Sequence, residues 1–189
     1  MNEAEYIAKL EEFEGYTDYM YLDSRGYVTI GVGIMFANAA AAKGSGITFK
    51  NRKTKKTATP DEIEKDYDSV KAAPKGMVES KYEKFTELFA SAGLDTRLKK
   101  ELNVAKSDAK SYYPDFDNLP EPARWALVDM AYNLGGAGLK KFVKLKAALE
   151  KAVQSKKKED WEAAAKESKR NGIQSSRNDA IYAWIAQGC

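Results

Sequence analysis

The apolar pattern of this chain changes period twice, and that change limits what it can fold into. Ile7, Leu10 and Phe13 recur at helical spacing, so residues 3–14 read as an amphipathic helix, with Gly15 just beyond its end. Tyr19–Leu22 and Tyr27–Ile30 flank Asp23-Ser-Arg-Gly26, the pattern of two short strands around a turn. From residue 59 the helical spacing returns and persists. A small strand-bearing segment set into a helical chain predicts an α+β fold.

The remaining elements follow from local signals. Residues 34–42 are expected to begin a small helix that Lys43-Gly-Ser-Gly46 breaks, and Ile47–Phe49 to add a third strand. Thr59-Pro60-Asp61-Glu62 combines a capping box with Pro at the first helical position, so a helix should run to about Ala73. Tyr82, Phe85, Leu88 and Phe89 suggest a further helix, and Leu94, Leu98 and Leu102 another. Residues 103–119 look irregular. Ala123, Leu127, Met130, Ala131 and Leu134 mark the cleanest helix, ended by Gly135-Gly136. Three more helices are expected over 142–153, 160–168 and 175–187. The predicted organisation is one domain over 1–189, with a sheet lobe over 14–75 and a helical lobe over 76–189 plus 1–13.

Composition removes several chemistries. The chain has 189 residues, no histidine and one cysteine, Cys189. Ser-His-Asp and Cys-His triads, His-ligated metals and a disulfide framework are excluded. Catalysis near neutral pH falls to carboxylates and other side chains, and neither metal nor cofactor is expected. The net charge of +3 is uneven. Residues 1–42 carry seven carboxylates against Lys9 and Arg25, so the basic excess lies downstream. The runs Lys50–Lys56 and Lys156–Lys158 read as exposed loops. No basic stripe interleaved with aromatics argues for nucleic acid, and no apolar run approaches the roughly 20 residues of a membrane span.

One constellation stands out. Glu14 ends the first helix, Asp23 lies where the first strand turns, and Thr29 lies on the second strand, giving Glu-x8-Asp-x5-Thr. A glycosidic bond needs one carboxyl group to protonate the leaving oxygen and one ionised carboxylate to activate water or attack. The negative end of the helix dipole, with Phe13 and Tyr16 alongside, disfavours charge on Glu14. Asp23 lies in a polar turn with Ser24 and Arg25. The Thr29 hydroxyl could hold a water against Asp23. Each residue also has an ordinary structural use: surface glutamate, turn former, strand residue.

Glu14-Gly15, Tyr21, Asp23, Gly26-Tyr27, Thr29-Ile30-Gly31 and Gly33 closely resemble the T-even phage lysozyme family, glycoside hydrolase family 24. Ala126–Gly135, Phe142, Asp160–Ala164 and Ser175–Asn178 extend the resemblance over about two-thirds of the chain. It implies a lysozyme-like fold and a muramidase acting in a cleft between two lobes. Glu14 would be the general acid, Asp23 the second catalytic carboxylate, and Thr29 would position a water. Arg177 would pair with Glu14; a buried acidic partner would also explain a cation in the first turn of a helix, the alternative being an exposed Arg in a basic protein. Asn133 would contact sugar, or else bond to the Gly135-Gly136 turn. Tyr21, Gly33, Met35 and Phe142 would line the groove. A carboxylate separation of about 6.5–9.5 Å would predict inversion, and about 5–5.5 Å a covalent intermediate.

The pattern departs from the family at three places. Ile34 stands where phage members often carry histidine, residues 43–58 form a basic insert, and residues 75–118 are longer and differently patterned. These departures fit a pesticin-like bacteriocin or a secretion-system effector as well as a phage endolysin. The expected partner is the peptidoglycan glycan strand, with an immunity protein if the chain is a toxin, no nucleic acid, no stable membrane insertion, and a monomeric state. With no signal peptide, delivery to the periplasm would need a holin or a secretion system. Rival readings are a non-catalytic wall-binding module with the same fold, membrane disruption by cationic helices, and chitinase-like specificity.

Overall fold

The chain, described over residues 1–188 in a computed structural model, is α+β and mostly helical. It divides into two compact units, Leu10–Lys100 and Met1–Lys9 with Glu101–Cys189. The boundaries lie nearer residues 10 and 100 than the expected 14 and 75.

The first unit holds both sheets. Helix α1 (Glu3–Glu14) leads into strands β1 (Thr17–Leu22), β2 (Val28–Gly31) and β3 (Ile34–Phe36), an antiparallel meander in the order β1-β2-β3. The pairings Leu22↔Val28, Val28↔Phe36 and Ile30↔Ile34 place apolar side chains on one face. All five are buried, each contributing about 1.5–3 kcal/mol by leaving water. The period of two puts Tyr21, Thr29 and Met35 in one row on the opposite face, through Tyr21↔Thr29 and Thr29↔Met35.

The expected helix over 34–42 is divided. Residues 34–36 pair as β3, and α2 (Ala39–Lys43) begins only after Asn38, whose Oδ1 caps it by accepting from Ala41 N at 2.9 Å. Strand β4 (Thr48–Asn51) pairs antiparallel with β5 (Leu88–Ala92) in a separate two-stranded sheet. The helix expected around Tyr82–Phe89 is therefore absent. Glu79–Phe85 is a 3₁₀ turn and residues 88–92 are strand. Gly93 follows with φ +91, and a Cβ there would meet the Gly46 carbonyl at 2.5 Å, so only glycine permits this close approach.

Helix α3 (Pro60–Lys71) starts at the expected capping box. Glu62 N donates to Thr59 Oγ1 at 3.3 Å, and Thr59 N to Glu62 Oε2 at 2.7 Å. Its buried Asp66 reaches the segment before β5, accepting from Thr86 Oγ1 and Glu87 N, each at 2.6 Å. The basic insert is ordered around β4. Arg52 pairs with Glu83 at 2.8 Å and lies 5.1 Å from the Tyr19 ring centre.

The second unit is helical. It contains most of α4 (Leu94–Tyr112), which extends through residues expected to be irregular, and α5 (Glu121–Leu139), α6 (Val143–Ser155), α7 (Lys158–Glu167) and α8 (Ser175–Ala186). Helix α5 is its centre: Trp125 through Ala131 are all buried. The expected break occurs at Gly135, φ +69, although helix resumes as far as Leu139. Tyr6 stacks on Trp125 with ring centres 4.7 Å apart. No helix among the described residues is long and apolar enough to cross a membrane.

Burial raises the Asp66 carboxyl above its ordinary value of 3.8, outweighing the bonds from Thr86, Glu87 and Leu88. The folded chain therefore holds that proton more tightly than the unfolded chain. The resulting stabilisation is complete below the unfolded value and is lost as pH rises through the raised folded value. In urea unfolding across acidic to neutral pH, the stability of wild type minus that of Asp66→Asn should increase on acidification. A difference that shrinks on acidification contradicts this assignment.

Candidate active site

Six of the expected site residues, Glu14, Tyr21, Asp23, Thr29, Gly33 and Met35, belong to the unit Leu10–Lys100. Helix α1 ends at Glu14 because Gly15 takes φ +72. Glu14 is half-buried. Its carboxyl lies over the β2–β3 turn, where a Cβ on Gly33 would sit 3.5 Å from both the carboxyl carbon and Oε2. Gly33 itself has φ +86. Tyr16, expected to give Glu14 apolar cover, is 55% exposed, whereas Phe13 is buried.

Asp23 builds the β1–β2 turn. Its Oδ1 accepts from Arg25 N at 2.9 Å and Tyr27 N at 2.8 Å. Its own N–H donates to Tyr27 O at 2.9 Å, and Gly26 N donates to Asp23 O at 2.9 Å. Oδ2 faces the Arg25 Nε at 3.8 Å. One carboxylate oxygen is thus committed to the backbone and the other is directed away from it.

Thr29 is buried, and its hydroxyl donates to Tyr27 O at 3.1 Å. Asp23 N and Thr29 Oγ1 therefore share one acceptor, which keeps them within two hydrogen-bond lengths of each other. Because the Thr29 proton is used, its oxygen lone pairs remain to accept. Tyr21 lies beside Thr29 in the cross-strand row. Burial first, then the fields of Glu14, Glu79 and Asp23, push its phenol well above the usual value, so it stays neutral. Met35 closes the row and is 45% exposed.

Arg177, Asn133 and Phe142 belong to the other unit. Arg177 is buried in the first turn of α8, and in its own unit it has the acidic partner that its position calls for. Its Nη2 donates to Asp129 Oδ1 at 2.9 Å, and its Nε to Oδ2 at 3.1 Å. Arg170 Nη2 donates to Asp129 Oδ2 at 3.2 Å, and the Tyr6 hydroxyl to Oδ1 at 3.4 Å. Asn133 Oδ1 accepts from Arg170 Nη1 at 3.4 Å. Phe142 is half-buried, and its carbonyl accepts from the Tyr112 hydroxyl at 2.7 Å.

The sequence reading missed Asp129 and Arg170. Asp129 carried a usable signal as the one charge in the apolar run Trp125–Ala131. Arg170, next to Lys169, was indistinguishable from surface charge.

No protein-family model matches the chain, and no curated protein matches it.

Two substitutions probe these supports. Gly33→Ala has room for its methyl group but not the backbone conformation, so it should cost about 1–2 kcal/mol in chemical unfolding. Asp129→Ala leaves buried guanidinium groups without their carboxylate and should cost about 3–5 kcal/mol in the same assay. A loss below about 1 kcal/mol would show that the buried cluster adds little.

Proposed function

We propose that the chain is a peptidoglycan muramidase, hydrolysing the β-1,4 bond between N-acetylmuramic acid and N-acetylglucosamine. The observation that carries this reading is the placement of Glu14 over Gly33 and of Asp23 and Thr29 on one shared carbonyl, all within one unit. The Glu-x8-Asp-x5-Thr spacing and its resemblance to the T-even phage lysozymes support the same chemistry.

In this mechanism Glu14 gives its proton to the glycosidic oxygen as the bond to the anomeric carbon lengthens. A water accepted by Thr29 Oγ1 loses a proton to Asp23 Oδ2 and adds to that carbon. Protons then return through solvent to restore both carboxyl groups. Asp23 Oδ1 stays on the Arg25 and Tyr27 amides throughout, so the base is held without moving the turn. Positioned proton transfer of this kind is worth roughly 10²–10⁴-fold in rate. As an effector the protein would meet an immunity protein; as an endolysin it would not.

Asp23→Asn separates charge from architecture, because an amide oxygen can still accept from Arg25 N and Tyr27 N. Reducing-end release from purified peptidoglycan should fall at least about 100-fold in both Asp23→Asn and Glu14→Gln, with unfolding midpoints close to wild type. Unchanged release in either variant contradicts the mechanism. Wall binding by wild type without any release would favour the non-catalytic module.

A further inference from the structure

The turn that holds Asp23 also presents an exposed aromatic ring among cations. Tyr27 is 43% exposed. Arg25 Cζ lies 5.8 Å and Lys71 Nζ 5.6 Å from its ring centre. Lys71 reaches the turn from the last residue of α3 and donates to Gly26 O at 2.7 Å. Lys75 lies against the Gly26 α-carbon, where an added Cβ would meet its Cε at 3.0 Å and its Nζ at 3.3 Å. Three cations from two segments therefore converge on one short turn.

Their charge is poorly compensated. Arg25 has Asp23 Oδ2 at 3.8 Å, a long contact to a side chain already engaged by two amides. Among the described residues neither Lys71 nor Lys75 has a carboxylate within 4.0 Å. An ammonium group has three donors, and Lys71 gives one to Gly26 O. The Lys75 stem rests on the turn and the Lys71 ammonium is bonded to it, so less freedom is lost when they bind. An exposed tyrosine ring offers a flat apolar surface to the C–H face of a pyranose, with a hydroxyl at its edge.

We infer that Arg25 and Lys71, beside the Tyr27 ring, and Lys75, against Gly26 in the same turn, form a specificity subsite for glycan bearing free carboxylates, adjoining the catalytic Asp23. The sugar face packs on Tyr27 while carboxylates of its acidic substituents meet the three cations. Peptide stems, with their side-chain and terminal carboxylates, are substituents of this class. The inference rests on the muramidase reading for its substrate but makes a separate prediction about charge. Because the cations are exposed, the attraction acts within about 8 Å at physiological salt and weakens as salt rises.

The test uses soluble peptidoglycan strands with intact stems and the same strands with stem carboxylates converted to amides. Calorimetric titration is carried out in the Glu14→Gln background, so that strands stay uncut. The carboxylate form should bind about tenfold more tightly at low salt. The added substitutions Arg25→Gln, Lys71→Gln and Lys75→Gln should remove that preference while leaving affinity for the amidated strands unchanged. Lys75→Gln alone, which keeps the Lys71 bond to the turn, should remove part of it. Equal affinity for the two strands, no binding to either, or a preference that survives all three substitutions overturns the inference. If wild type prefers the carboxylated strands but releases no reducing ends, the subsite stands and the muramidase reading fails. If it cuts both strands with equal efficiency and affinity, the reverse holds.

Discussion

The site unit depends on what the Asp23 carboxylate does to its own turn. By accepting two backbone N–H groups through one oxygen, it closes the link between β1 and β2. That closure fixes the register, and a slip of one residue would exchange the faces of the sheet. Leu22, Val28 and Phe36 would lose their buried places, and Tyr21, Thr29 and Met35 would leave their common row. The second oxygen of the same carboxylate takes no part in the turn and faces Arg25 Nε at 3.8 Å. The turn is held by the side chain of its own first residue, so few residues are needed to position it.

The helical unit solves a different problem. An ionised carboxylate with no exposure, at the centre of an apolar helix, is costly unless its partners are buried with it. Asp129 meets that condition with Arg177, Arg170 and Tyr6, drawn from α8, the segment before it, and α1. The cluster ties chain segments more than 100 residues apart to one point on α5. Arg177 in the first turn of a helix is unfavourable in isolation; the buried carboxylate supplies what that position lacks.

Local signals disclosed the parts of this structure that local forces determine. The Thr59 capping box, the Gly15 helix end and the strands around Asp23 were readable because turn chemistry and capping act over a few residues. Pairing across distance was not readable. Tyr82, Phe85, Leu88 and Phe89 have helical spacing, yet residues 88–92 form a strand because β4, some forty positions earlier, pairs with them. That pairing joins the basic insert to a segment that follows α3, and both lie within the unit Leu10–Lys100. Ile34–Phe36 looked like the start of a helix because three residues are too few to reveal a period of two. At the candidate site, the strands that bring Asp23 and Thr29 together were legible from their turn signals. Lys71 and Lys75 were not, since nothing in a helix end states which turn it will meet.

Muramidase chemistry at this site requires water to add to the anomeric carbon of muramic acid. Purified sacculi incubated with the protein in ¹⁸O-labelled water, followed by mass spectrometry of the released fragments, read that event directly. Muramidase hydrolysis should yield N-acetylmuramic acid reducing ends carrying one ¹⁸O at the anomeric position. Anhydro ends without label, N-acetylglucosamine reducing ends, or no released fragments at all would contradict it.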